Sequence, residues 1–120
     1  MTLRCGIDSI EIDRVAGTRE RFGERFYTRF FTEAERTACG DQIHRYAGRI
    51  AAKEAVAKAL GTGIGDVMWR EIEILNDARG RPVLVLHGAA ADLFAALGLT
   101  EWDVSITHTR TVATAMVIMR

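Results

Sequence analysis

The sequence predicts an α+β fold in which a mainly antiparallel sheet packs against one long helix. Apolar residues follow a helical period through most of the first half, and short alternating apolar runs fill the second half. The strands are not separated one by one by helices, as a doubly wound sheet would require. With 120 residues the chain has room for one hydrophobic core, so we expect residues 1–120 to form a single domain.

The amino-terminal segments predict a strand followed by helices. Residues 3–13 alternate apolar and polar side chains but change phase near Asp8, which predicts a strand with a kink or bulge at that point. Residues 13–31 are rich in arginine and carry phenylalanines at helical spacing. Thr32 and Glu35 then form a capping-box pattern, which predicts the start of another helix.

A longer helix is predicted over residues 41–60, with Gly61 supplying the left-handed residue that ends it. The second half changes to short apolar runs that predict strands, with a turn-rich connection at residues 76–80 that is typical of a hairpin. The predicted strands are 69–75, 82–87, 102–107 and 112–119, and the predicted helix between them is 89–97.

The overall composition favours an ordinary globular protein. Lysine plus arginine and aspartate plus glutamate number 16 each, so the charge balance predicts neither a nucleic-acid partner nor a membrane partner. The amino terminus reaches a charged residue at once, which predicts no secretion signal and a cytoplasmic location. Cys5 and Cys39 match no metal-ligand spacing and are expected to be free thiols.

The segment from Arg49 to Gly65 contains the residues best suited to bind a metal and a phosphate. Glu54 and Lys58 are four residues apart, so they share one face of the predicted helix. Taken alone, they would be an exposed ion pair. A second carboxylate, Asp8, would complete a two-carboxylate Mg²⁺ site, and the glycines of residues 61–65 would let backbone N–H groups approach a ligand.

Taken together, these segments resemble the holo-[acyl-carrier-protein] synthases, the small class of 4′-phosphopantetheinyl transferases. The resemblance runs nearly from end to end of the chain. It is carried by Gly6-Ile7-Asp8, Ala47-Gly48-Arg49, Ala51-Ala52-Lys53-Glu54-Ala55, Lys58-Ala59, Gly61-Thr62-Gly63-Ile64-Gly65, Glu71-Ile72-Glu73-Ile74, Gly80-Arg81-Pro82 and Val104-Ser105-Ile106-Thr107-His108-Thr109.

The resemblance implies a role for each matching residue. Asp8 and Glu54 are expected to bind Mg²⁺, with Mn²⁺ as the alternative, and together with Lys58 to form the catalytic group. The residues expected around coenzyme A are Arg49, Lys53, Lys58, Gly61, Thr62, Gly63, Arg81, Pro82, His108 and Thr109. Those expected to meet the acidic carrier protein are Arg14, Arg21 and Arg25.

The implied reaction moves the 4′-phosphopantetheine of coenzyme A onto a serine of apo acyl carrier protein, in fatty acid biosynthesis. The resemblance also implies a homotrimer with active sites between subunits. Glu54, acting through an ordered water, is the first choice for the base, and His108 is the second. The chain departs from its relatives at Ile50 and Val56, where aromatic residues are common, and at Ile10, where two-domain relatives have a third acidic ligand.

Two other interpretations remain open at this point. The same chemistry could serve a dedicated carrier domain of a polyketide or fatty-acid synthase, which only a panel of carriers would distinguish. A binding module without catalytic activity is disfavoured, because both carboxylates and Lys58 are present.

Overall fold

The structure is a computed structural model and describes residues 2–120. In chain order its elements are β1 (Arg4–Glu11), α1 (Ile12–Phe22), α2 (Glu24–Phe30), α3 (Glu33–Cys39), α4 (Ile43–Leu60), β2 (Ile72–Asn76), β3 (Pro82–Leu86), α5 (Gly88–Ala96), β4 (Trp102–His108) and β5 (Val112–Met119). A 3₁₀ turn, Trp69–Glu71, precedes β2. None of the helices in residues 2–120 has the length and apolar character that crossing a bilayer requires.

The strands form two antiparallel sheets, which confirms the predicted α+β class. One sheet has the strand order β1-β5-β4, and β2 pairs with β3 in a separate hairpin. The indole nitrogen of Trp102 in β4 donates to the carbonyl oxygen of Leu84 in β3 at 3.1 Å and so links the two sheets. Helix α4 contacts strands of both sheets, and this helix therefore lies at the centre of the fold.

The predicted kink in the first strand is wrong. β1 pairs with β5 in continuous register, from Arg4 opposite Met119 to Glu11 opposite Val112. The change of phase in the sequence has a different cause. The early apolar residues lie on the outer face of the sheet, where Ile7 is 60% exposed, while the residues between them face α4.

Gly6 allows β1 to pass unusually close to α4. A Cβ atom at this position would overlap the carbonyl oxygen of Ala55, so only glycine fits. Asp8 lies two residues further along and faces the same side of the strand. The close crossing therefore brings its carboxylate to the carboxyl-terminal half of the helix, within reach of Lys58.

The structure of helix α4 confirms which of its sides faces the core and which residue ends it. Ala52, Val56 and Ala59 are buried in the main core, and Gly61 adopts a left-handed conformation with φ 80°. Ten of the other fifteen residues of the helix are buried as well, because sheets and helices surround it.

A second core holds the preceding helices against α4. Phe26, Phe31 and Tyr46 pack their rings together, with the centroid of Phe31 4.8 Å from that of Tyr46. The predicted helical stretch before Thr32 divides into α1 and α2 at Gly23, where φ is 57°.

Candidate active site

Asp8, Glu54 and Lys58 come together where β1 crosses α4. The Nζ atom of Lys58 donates to Asp8 Oδ1 at 3.1 Å and to the carbonyl oxygen of Ile7 at 2.9 Å. Asp8 and Glu54 line one cavity of about 320 Å³. The structure thus unites two carboxylates that are 46 positions apart in the sequence with an ammonium group at their edge.

The electrostatics of this cavity favour a cation. Burial raises the pKa of Glu54, the charge of Asp8 raises it further, and Lys58 opposes both effects. A divalent cation between the carboxylates would remove their repulsion. No group of three or more His, Cys, Asp and Glu side chains in residues 2–120 is arranged to hold a metal ion. Two carboxylates nevertheless fit Mg²⁺, which takes its remaining oxygen ligands from water and substrate phosphates.

Most of the cavity wall was not predicted from the sequence. Its other lining residues are Ser9, Ile10, Arg14, Val15, Thr18, Phe30, Ile50 and Trp69. Ile10 and Ile50, two of the three departures from the family pattern, contribute apolar wall, whereas Val56 lies in the core. The phenylalanine spacing predicted a helix but did not indicate which phenylalanine would reach the cavity, because that depends on tertiary packing.

The position of Lys53 in the structure contradicts its predicted role as a direct contact for coenzyme A. Its side chain is fully buried, and Nζ donates to Glu35 Oε1 at 2.7 Å, Trp69 O at 2.9 Å and Ile72 O at 2.7 Å. An ammonium group has three donors, and all three are used. Burial lowers the pKa of Lys53, and the Glu35 carboxylate opposes that shift.

Arg49 requires the same correction. It is 4% exposed, its Nε atom donates to the carbonyl oxygen of Ile74 at 2.9 Å, and its Nη2 atom donates to Asn76 Oδ1 at 2.5 Å. The guanidinium group therefore attaches α4 to the β2–β3 hairpin and leaves little surface for a ligand.

Glu35 explains how the fold accommodates these buried cations. Its Oε1 atom accepts a hydrogen bond from the Thr32 N–H at 2.9 Å, which confirms the predicted capping box, and also accepts from Lys53. Its Oε2 atom accepts from the N–H of Ile74 at 3.0 Å. One buried carboxylate thus joins α3, α4 and β2.

The other residues predicted around coenzyme A lie in two places. Gly61, Thr62 and Gly63 follow α4 directly, one turn beyond Lys58. The second group, Arg81, Pro82, His108 and Thr109, lines no part of the cavity that contains Asp8 and Glu54.

The second group is held by contacts of its own. Arg81 Nη2 donates to both carboxylate oxygens of Asp103, at 2.7 and 2.8 Å. The ring of His108 lies 4.8 Å from that of His44. Burial lowers the pKa of His44, and the charges of His108 and Arg45 lower it further. His44 was not singled out in the sequence, because its pairing depends on a strand end 64 residues away.

The arginine-rich helices border the same cavity. Arg14 lines it, while Arg21 and Arg25 lie over the ring of Phe22, at 5.3 and 5.8 Å from its centroid. Phe22, Arg25, Thr28, Arg29 and Phe30 line a second cavity of about 370 Å³. Because Phe30 lines both cavities, the arginine-rich surface around the second cavity adjoins the cavity that contains Asp8 and Glu54.

Comparison with known proteins decides the family. Residues 4–115 match the 4′-phosphopantetheinyl transferase superfamily. The chain belongs to this superfamily. It is 51% identical over 116 residues to a holo-[acyl-carrier-protein] synthase of Solidesulfovibrio magneticus, covering 95% of this chain and 94% of that one. It is 47% identical over 123 residues to the synthase of Herpetosiphon aurantiacus, covering 97% of each.

Solved structures of the superfamily have the same architecture. The holo-[acyl-carrier-protein] synthase of Helicobacter pylori, in complex with coenzyme A, superposes with a TM-score of 0.89 at 30% identity. That alignment covers 97% of this chain and 99% of the other. The synthase of Neisseria meningitidis also gives a TM-score of 0.89, at 31% identity.

Proposed function

We propose that this chain transfers the 4′-phosphopantetheine group of coenzyme A to a serine hydroxyl of apo acyl carrier protein, in fatty acid biosynthesis. The products are holo-acyl carrier protein and adenosine 3′,5′-bisphosphate. The observation that carries the proposal is that Asp8 and Glu54 line one cavity beside the arginine-rich surface, with the ammonium group of Lys58 bonded to Asp8. Nearly full-length identity to two holo-[acyl-carrier-protein] synthases supports it. Residues 1–120 would act as one transferase domain.

Asp8 and Glu54 would hold Mg²⁺, with Mn²⁺ as the alternative. The support is the shared cavity and the raised pKa of Glu54, which burial raises most and the charge of Asp8 raises further. When bound, the ion would neutralise charge on the pyrophosphate oxygens as the leaving group departs.

The chain's own residues would manage the proton and the remaining charge. The serine oxygen attacks the β-phosphorus of coenzyme A, and the bond between that phosphorus and the bridging oxygen breaks. Glu54 accepts the serine proton through a water molecule, since its carboxylate lines the cavity beside Asp8. Lys58, already within reach of Asp8, neutralises the leaving phosphate and supplies it with a proton. His108 is the weaker candidate for the base, because it does not line this cavity.

The carrier protein would dock on the surface of α1 and α2 that presents Arg14, Arg21 and Arg25. This surface adjoins the cavity through Phe30, so a bound carrier would have its serine close to the carboxylates. Reversing the charge with Arg25→Glu should raise the KM for the carrier about tenfold at low salt and have less effect at high salt. Arg79→Glu, on the exposed hairpin turn, is the matched control. An equal effect of both variants would contradict the docking surface.

Copies of the chain would assemble through the outer face of the three-stranded sheet, as a homotrimer. This face exposes Leu3 by 65%, Ile7 by 60%, Met116 by 46% and Ile118 by 37%. Such a continuous apolar surface is typical of a protein interface. Light scattering should give three times the 13.3 kDa of one chain, and Met116→Glu should lower that mass. A monomeric wild type would contradict the assembly.

The direct test of the reaction is intact mass spectrometry of a carrier protein. The purified chain is incubated with coenzyme A, Mg²⁺ and apo acyl carrier protein, and we expect the carrier to gain the mass of one phosphopantetheine. Removal of divalent ions with EDTA should stop the gain. If a panel of apo carriers gains nothing while coenzyme A still binds, the chain is a binding module and the proposal fails.

A further inference from the structure

Arg4 is a further charged residue beside the candidate active site, next to the loop that follows α4. It lies on β1, on the same face as Gly6 and Asp8. Its Nη1 atom donates to the carbonyl oxygen of Ala59 at 3.4 Å. A Cβ atom at Gly61 would lie 3.5 Å from Nη2 and 3.7 Å from Nη1. The guanidinium group therefore sits at the carboxyl end of α4, directly against the start of the loop.

This guanidinium group has unused hydrogen-bond donors. Among residues 2–120, the long bond to Ala59 is the only hydrogen bond that the Arg4 side chain makes. Its Nε atom is buried without a partner. An arginine carries five N–H donors, and leaving a buried one unsatisfied is unfavourable. Such a group is well placed to bind a ligand rich in acceptors.

The neighbouring loop also presents free backbone to a ligand. A Cβ atom at Gly63 or Gly65 would meet no other atom within 4 Å, so the loop is open to approach at both positions. Within the described residues the N–H of Gly63 donates no hydrogen bond. Backbone N–H groups beside cationic side chains are a common arrangement for binding phosphate.

We propose that Arg4 binds phosphate oxygens of coenzyme A together with Lys58 and the loop of residues 61–65. This inference rests on the proposed function, because it names a further residue of the same substrate site. The competing explanation is that Arg4 only stabilises the carboxyl end of α4, where a cation interacts favourably with the last carbonyl groups. That explanation predicts a change in stability and none in substrate affinity.

The test compares Arg4→Gln and Arg4→Lys with Arg79→Gln, which removes the same charge from an exposed turn. The rate of carrier loading is measured at varied coenzyme A and saturating apo carrier, and thermal unfolding is measured without ligand. Loss of one charge-assisted phosphate contact should raise the KM for coenzyme A about tenfold in Arg4→Gln, with kcat changed less than about twofold. Arg4→Lys should recover part of the affinity, and Arg79→Gln should match wild type.

Titration calorimetry with coenzyme A gives a second readout that needs no turnover. A Kd raised about tenfold in Arg4→Gln, but not in Arg79→Gln, would support the inference even if no carrier were loaded. Wild-type loading of a carrier with equal coenzyme A affinity in all variants would overturn the inference and leave the proposed function standing. A lowered melting temperature of Arg4→Gln with unchanged KM and Kd would assign Arg4 to the helix end alone.

Discussion

Two sets of charged side chains on α4 have opposite environments. Arg49 and Lys53 are buried and bonded to the hairpin, the 3₁₀ turn and Glu35. Glu54 lines an open cavity together with Asp8, and the half-exposed Lys58 contacts Asp8 where β1 crosses α4. Lys53 and Glu54 are adjacent in the sequence, yet one is part of the core and the other is part of the candidate active site.

The difference lies in whether each charge is compensated. The carboxylate of Glu35 and two carbonyl oxygens satisfy every donor of Lys53, so that group is fixed and has no capacity left for a ligand. Glu54 faces the like charge of Asp8, and both burial and that charge raise its pKa. An unbalanced, partly open group can bind a cation or accept a proton, whereas a satisfied and buried group can only stabilise the fold.

The largest effect should come from removing the open carboxylates. Glu54→Ala and Asp8→Ala should each lower the rate of carrier loading by about a thousandfold, or about 4 kcal/mol of transition-state stabilisation. The fold should remain intact, because neither side chain belongs to the core. Loading rates and circular dichroism of each variant check this. Near-normal loading by either variant at millimolar Mg²⁺ would remove the metal assignment.

Removing the buried carboxylate should affect stability instead. Glu35→Ala leaves the ammonium group of Lys53 buried without its charged partner, which should lower the free energy of unfolding by about 3–5 kcal/mol. Urea denaturation measures this loss. Glu33→Ala, on the exposed side of the same helix turn, is the control and should change little. If the two variants were equally stable, the buried ion pair would contribute nothing to the free energy of unfolding.

A smaller effect should appear in the stability of the metal-free protein. The pKa of Glu54 is raised on folding, so its contribution is fully present below the unfolded pKa and is lost as the pH rises through the folded pKa. At neutral pH in EDTA the ionised carboxylate of Glu54 makes the folded state less stable, and Glu54→Gln removes this destabilisation. It should melt about 1–2 °C above wild type, since partial exposure screens the effect.

This gain should vanish in acid, where Glu54 is protonated in both folded and unfolded states. Millimolar Mg²⁺ should raise the melting temperature of wild type and leave that of Glu54→Gln unchanged, because binding to the folded state stabilises it. A variant that melts below wild type at neutral pH in EDTA would show that folding does not raise the pKa of Glu54.

The sequence predicted the elements well because each one has a local signal. The capping box at Thr32, the glycine that ends α4 and the turn before Pro82 all act within a few residues, and the structure confirms all three. The first strand shows the limit of a local pattern. Alternation is the same whichever side faces the core, so the exposed face with Ile7 was mistaken for a kink.

The sequence predicted only those residues of the candidate site that belong to recognisable motifs. They named Asp8, Glu54 and Lys58, which the fold brings together. The motifs also assigned Lys53 to the ligand, because a lysine next to Glu54 looks the same in the sequence whether its side chain points outwards or inwards. The partner that buries it is Glu35, 18 residues earlier, and only the packing of α3 against α4 and β2 reveals that contact.

The contrast between the two lysines of α4 is the most direct test. Lys58→Met is compared with the double variant Glu35→Gln/Lys53→Met, which removes both buried charges and keeps a side-chain acceptor at position 35. Each protein is measured for its free energy of unfolding and for its rate of carrier loading per folded molecule. We expect Lys58→Met to unfold like wild type and to load the carrier about a hundredfold more slowly. The double variant should be less stable but should load the carrier at close to the wild-type rate. The reverse result, a slow double variant and an active Lys58→Met, would contradict the division of α4 into a structural and a chemical set of charges.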